Sequence, residues 1–163
     1  MALDFNKASF TETTSATIFG ICDTPPPATN SAYLDYAKSD DWIACVENDL
    51  SKPVIFTAID HCTDIVPPDA ERCDGMLRFE DTIIFVELKD RNSGRWLGKA
   101  KDQLSSTINI YKKEIGLNGL TKFYAYVSNK QRPYFYAANM SLAEEFEADT
   151  GFVLQVEQVI KIQ

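Results

Sequence analysis

A chain of 163 residues, 45% of them apolar, can bury one core of its own and is too apolar to stay disordered. No apolar run approaches the ~20 residues that cross a bilayer, and the opening MALDFNKASF lacks the basic-then-apolar layout of a signal peptide. A single cytoplasmic domain over residues 1–163 with no membrane association is the expectation, and its net charge of −8 argues at first against nucleic acid as a partner.

The first thirty residues are rich in Thr and Ser and end in TPPPATN, so residues 1–30 read as an N-terminal arm or loop. SDDWIACVENDL follows, with Ser39 as an N-cap, acids in the first turn, and Trp42, Cys45 and Val46 on one side. That spacing predicts a short helix over 39–50. VIFTAI, after Pro53, reads as a strand. Two apolar runs around the polar Glu80–Asp81–Thr82 predict a hairpin with strands at 73–79 and 82–89. From Trp96 the period changes: Leu97, Ala100, Leu104, Ile108, Tyr111 and Ile115 recur at three- and four-residue steps, an amphipathic helix that Gly116 stops. TKFYAYVS is a fourth strand. SLAEEFEADTG is a second helix capped by Ser141 and ended by Gly151, and FVLQVEQVIKI is a last strand. The order is an α/β sandwich with a mixed sheet.

Four cysteines, Cys22, Cys45, Cys62 and Cys73, form no CxxC pair and are expected as thiols. His61, Cys62 and Cys73 could supply three metal ligands, but no fourth is evident, and His61 reads as a loop residue.

The hairpin raises the chemical question. Alternation puts Phe85, Glu87 and Lys89 on one face of the second strand, with Ile84, Val86 and Leu88 on the other. With the turn near Asp81, Asp74 pairs roughly with residue 88 and can lie beside Glu87 across the ladder. Two carboxylates at one spot repel unless a cation sits between them, and oxygen ligands suit Mg²⁺ or Mn²⁺. The backbone carbonyl of Leu88 could add a third oxygen. Lys89 is then placed to orient an attacking water or to stabilise charge building on a phosphate. The simpler alternative is that Glu87 and Lys89 form an ordinary surface pair worth under ~1 kcal/mol.

CDG, ten residues, then VELK, followed by a helix bearing a glutamine in KAKDQLSSTI, resembles the PD-(D/E)xK nuclease superfamily. The resemblance covers about residues 40–130. It implies a restriction-endonuclease-like αβββαβ core with a mixed central sheet flanked by helices at 39–130, and a C-terminal helix-and-strand extension at 131–163. It implies Asp74 and Glu87 as metal ligands, Lys89 as the catalytic lysine and Gln103 as the helix glutamine. The acid that many members carry on the first helix would be Glu47. Cys73 precedes Asp74 where the family name has Pro; the literal Pro68–Asp69 falls in a loop, so Asp74 is preferred. Thr107 stands where some exonuclease-type relatives carry Tyr, with Tyr111 one turn later.

Charge is uneven. Residues 89–132 hold ten Lys and Arg against Asp90, Asp102 and Glu114, a net of +7, which leaves −15 for the remainder. Arg91, Arg95, Lys99, Lys101, Lys130 and Arg132 are the candidate phosphate contacts, with Lys112 and Lys113 further along the helix. Tyr134, Phe135 and Tyr136 could stack unpaired bases or equally belong to the core or a protein interface. The expected function is a Mg²⁺- or Mn²⁺-dependent nuclease acting on nucleic acid, DNA before RNA. The acidic remainder implies a homodimer or a partner protein subunit, or a small enzyme with transient substrate contact. The alternatives are a catalytically silent nucleic-acid- or protein-binding subunit of the same fold, as in a defence or toxin–immunity assembly, and an α/β domain in which ELK is incidental.

Overall fold

The strands sort into two sheets. The computed structural model describes residues 4–5, 7–25, 29–62, 69–90, 94–131 and 140–163. Six strands form the larger sheet, ordered β1 (Thr11–Thr14), β5 (Val54–Ala58), β6 (Gly75–Phe79), β7 (Thr82–Lys89), β8 (Lys122–Asn129) and β9 (Val153–Val156). The first four run antiparallel to their neighbours, while β7, β8 and β9 are parallel, so the sheet is mixed. The smaller sheet is β10 (Val159–Lys161), β4 (Ala44–Glu47), β2 (Ile18–Cys22) and β3 (Tyr33–Asp35), with β10 parallel to β4. Two helices, α1 (Trp96–Glu114) and α2 (Met140–Thr150), complete the elements. Among the described residues, no helix is long and apolar enough to cross a membrane.

The α/β class with a mixed sheet is therefore present, but four expected features differ. The helix expected over 39–50 is a single 3-10 turn, Ser39–Asp41, followed by β4. Buried Ala44 and Val46 alternate there with half-buried Cys45 and Glu47, the period of a strand, and β2 and β10 supply its ladders. The expected arm over 1–30 contains β1 and β2, each paired in a different sheet. The final strand is two strands, β9 in the large sheet and β10 in the small one. Helix α2 begins at Met140, so Ser141 lies inside it rather than at its cap.

The hairpin forms as the apolar alternation demands. Gly75 pairs with Val86 and Phe79 with Thr82, leaving Glu80 (φ 48°) and Asp81 as the turn. The Asp81 carbonyl accepts the Thr121 and Lys122 N–H groups at 2.8 and 3.2 Å, which sets the register of β8 against β7. Phe85 turns toward α1 and packs edge-on against Tyr111, with ring centres 5.5 Å apart, and against Phe152 at 5.7 Å. Lys112 and Lys113 sit in the last turn of α1, where the helix dipole favours cations. Gly116, at φ 88°, turns its N–H back to the Tyr111 carbonyl and ends the helix as expected.

The two sheets share one apolar core. Asn48, fully buried, donates to the Ala16 and Lys52 carbonyls at 3.2 and 2.9 Å, bracing the crossings from β1 to β2 and from β4 to β5. Close backbone approach fixes two glycines. A Cβ on Gly20 would lie 2.0 Å from the Trp42 ring, and one on Gly75 would lie 2.6 Å from the Phe56 ring.

Candidate active site

Strand β6 begins one residue after Asp74, but its backbone hydrogen bonding already includes Asp74. Asp74 N–H donates to the Val86 carbonyl at 3.1 Å, and the Asp74 carbonyl accepts Ile59 N–H at 2.9 Å. The register ends at Gly75 and Val86, and Asp74 N–H bonds to Val86 as well, so Asp74 sits at the end of the ladder with its side chain beside Glu87, not in the expected pairing with 88. Beyond this point β6 offers no backbone partner to Leu88, and the Asp74 side chain takes that place: Oδ2 accepts Leu88 N–H at 2.7 Å. Carbonyls alternate in direction along a strand, and Val86 turns its own to Asp74 N–H, so the Leu88 carbonyl is on the β6 side too. Lys89, next along, turns its carbonyl to β8 and accepts Lys130 N–H at 2.9 Å.

Glu87 is 2% exposed and Asp74 6%. Lys89 Nζ lies 3.0 Å from Glu87 Oε2 and donates to Gln103 Oε1 at 2.9 Å. Gln103 Nε2 reaches the Arg72 carbonyl at 3.2 Å. One turn later, Thr107 Oγ1 accepts the buried Cys73 N–H at 2.9 Å and donates to the Gln103 carbonyl at 3.1 Å. Helix α1 thus holds the segment leading into Asp74 with two side chains and holds Lys89 with one of them. Gly75, where only hydrogen clears Phe56, lets β5 and β6 close up beside the acid.

Burial dominates the electrostatics. It raises Asp74 well above its ordinary 3.8, and the charge on Glu87 raises it further. Burial also raises Glu87 above 4.5, opposed chiefly by the Lys89 ammonium. The shared proton therefore belongs to Asp74, with Glu87 ionised against Lys89. Glu87 Oε1 is buried with no hydrogen-bond donor among the described residues. A proton shared with Asp74 would satisfy it; so would a cation.

Asp74, Glu87, Leu88, Lys89 and Gln103 line a cleft of about 270 Å³ at the carboxyl end of β7, the end of parallel strands at which α/β sheets bind ligands. Asp23, following β2, and Asp60, following β5, line it as well. No motif spacing links either to the hairpin; only the tertiary path of the small sheet brings Asp23 there. A larger cavity of about 360 Å³ lies on the other face of the sheet, between Tyr124, Tyr126 and Lys161, and Glu157 is the only acid in its lining.

Not every expected site residue joins. Glu47 is on β4, opposite Ile18 and Lys161 in the small sheet, and does not line the cleft. With the first helix absent, the reason for choosing it is gone. Arg95 and Lys99 are exposed at the start of α1, Lys101 is half-buried, and Lys130 donates to the Asp40 carbonyl; none of the four lines the cleft. Arg91, Arg132, Pro68 and the aromatic run 134–136 lie outside the described residues. The four cysteines are free; burial pushes the Cys62 thiol up to about 11 and Cys73 well above 9.

Among the described residues, no three His, Cys, Asp or Glu side chains converge as a metal cage. Two buried carboxylates and a carbonyl nonetheless fit Mg²⁺ or Mn²⁺, which are bound through one or two carboxylates and keep several waters. The orphaned Glu87 oxygen and the all-oxygen donor set support that fit. Comparison with family models, with curated proteins and with solved structures finds no match to this chain.

Proposed function

We propose that this chain is a Mg²⁺- or Mn²⁺-dependent nuclease of the PD-(D/E)xK type that hydrolyses phosphodiester bonds of nucleic acid, DNA before RNA. The observation carrying the proposal is the convergence of Asp74, Glu87, Lys89 and Gln103 in one cleft from three separate elements. A decorative Glu–x–Lys pair would stand in water; this one is buried against a second carboxylate. The run β5–β6–β7–α1–β8 has the βββαβ order of that superfamily's core, although a strand stands where its first helix would be.

Asp74, Glu87 and the Leu88 carbonyl would hold the ion, whose chemistry is to polarise the phosphoryl group and neutralise charge developing on it. Lys89 brings a cation to the same place, able to orient the attacking water or to bond the phosphate oxygen as its charge grows. Gln103 keeps that ammonium aimed into the cleft. Arg95 and Lys99, with Arg91, Lys101, Lys130 and Arg132, would bind the flanking backbone. A homodimer or a partner subunit would supply the cationic surface that a chain of net charge −8 lacks.

That same acidity favours a second reading, a silent binding subunit of this fold. Incubating the protein with Mg²⁺ or Mn²⁺ and single- and double-stranded DNA and RNA separates the two. Cleavage that falls about a hundredfold or more in both Glu87→Ala and Lys89→Ala establishes the nuclease. Folded wild-type protein that cleaves nothing rejects it.

A further inference from the structure

The cleft has a wall that the hairpin does not provide. Asp23 reaches it from the end of β2 in the small sheet, with Thr24 and Pro25 beside it. It is half-buried, its bonded partner among the described residues is the neighbouring Thr24 N–H at 3.0 Å, and its charge acts on Asp74. The other two acids of the lining have side-chain partners of their own. Asp60 is flanked by Arg72 Nε at 3.5 Å and His61 Nε2 at 3.4 Å, and Asp90 is exposed and accepts Gln131 Nε2 at 2.9 Å. What remains is Asp23, Asp74 and Glu87, with Lys89 the one cation of the lining among the described residues. Glu87 Oε1, on a side chain 2% exposed in the same cleft, has no donor among the described residues, and a cation taking the place of the Asp74 proton would satisfy it.

We propose that Asp23 is the third acidic group of the site, helping Asp74 and Glu87 to hold a hydrated divalent cation by accepting hydrogen bonds from its waters. The inference rests on the Asp74–Glu87 metal site proposed above. An outer role is what the geometry allows, because Asp23 does not close a three-residue cage with the other two. Mg²⁺ and Mn²⁺ suit such a role because they retain waters when bound. Asp23 is a positioning residue, and the small sheet becomes part of the site rather than a support for it.

The test is a Mn²⁺ titration followed by electron paramagnetic resonance, on wild type, Asp23→Asn, Glu87→Gln and, as a remote control, Glu47→Gln. Asp23→Asn keeps an acceptor for Thr24 N–H; Asp23→Ser repeats the test should the first variant fail to fold. The expected result is wild-type binding in Glu47→Gln, loss of binding in Glu87→Gln, and an affinity weakened about tenfold or more in Asp23→Asn, the effect of removing an outer partner of a metal. Wild-type affinity in folded Asp23→Asn, with binding lost in Glu87→Gln, overturns the role of Asp23 and leaves the Asp74–Glu87 site standing. A wild-type protein that takes up no Mn²⁺ overturns both.

Discussion

The two sheets reach the same cleft by different physics. In the large sheet, Asp74, Glu87 and Lys89 lie within sixteen consecutive residues, positioned by a two-residue turn and by alternation, both local. The small sheet delivers Asp23 through pairings of β2 with β4, 23 to 29 residues apart, and of β4 with β10, 114 apart. Chemistry carried by a hairpin is therefore legible in the chain, while chemistry carried by a crossover is not.

The largest expected effect that tests this comparison is on packing. Gly20→Ala and Gly75→Ala each overpack one sheet, at a typical cost of about 1–3 kcal/mol, with Gly20→Ala the greater. Its Cβ would lie closer to a ring (2.0 against 2.6 Å), and Trp42 cannot swing away without losing the bond from its indole N–H to Asp35 at 2.8 Å. Urea unfolding should show a single transition for both variants, because the sheets share one core. Separate transitions would make the small sheet an independent unit.

Next comes the tie between α1 and the acid. Thr107→Val leaves the buried Cys73 N–H without its acceptor, and a lost partner of this kind costs about 1–3 kcal/mol. Nuclease activity should fall with it while Lys89 keeps Gln103, so thermal melting and cleavage rates should decline together.

The pH response of the metal-free protein is smaller and has a definite sign. Asp74 and Glu87 titrate above their ordinary 3.8 and 4.5 in the folded state. Between the ordinary and the raised values the folded protein binds more protons than the unfolded one, so stability falls as pH rises through that window and stays low above it. Asp74→Asn should flatten the fall and raise the melting temperature at neutral pH. Mg²⁺ should stabilise wild type chiefly above the window, where it replaces the shared proton. Melting curves with and without Mg²⁺ across pH check both. Smallest of all, Glu47→Gln should change stability by less than about 0.5 kcal/mol and leave cleavage unchanged.

Where the sequence misleads, it does so at strands whose partners are remote. Residues 39–50 read as a helix because Ser39, the two acids after it and Trp42, Cys45 and Val46 fall at helical spacing. The burial of Ala44 and Val46 follows a period of two instead, imposed by β2 and β10. IFGIC was hidden in a stretch judged by its threonines and prolines, although it has the apolar character of a buried strand. The α1 stripe, by contrast, places Ala100, Leu104, Ile108 and Tyr111 in the core as its period requires, and Gln103 and Thr107 sit on its shoulder, facing the hairpin. A polar pair four apart beside an apolar stripe was the available signal for Thr107. Asp23 and Asp60 had none.

The parallel pairing of Val159 with Cys45 spans 114 residues. Closing so long a loop is entropically costly and slow relative to a hairpin, so β4 has to wait for its outer neighbour until almost all of this sequence has emerged from the ribosome. During synthesis the Asp74–Glu87 hairpin can be in place while the edge of β4 is still bare, and bare edges are where strands of other chains add. The order of birth thus sets a window of aggregation risk at that edge.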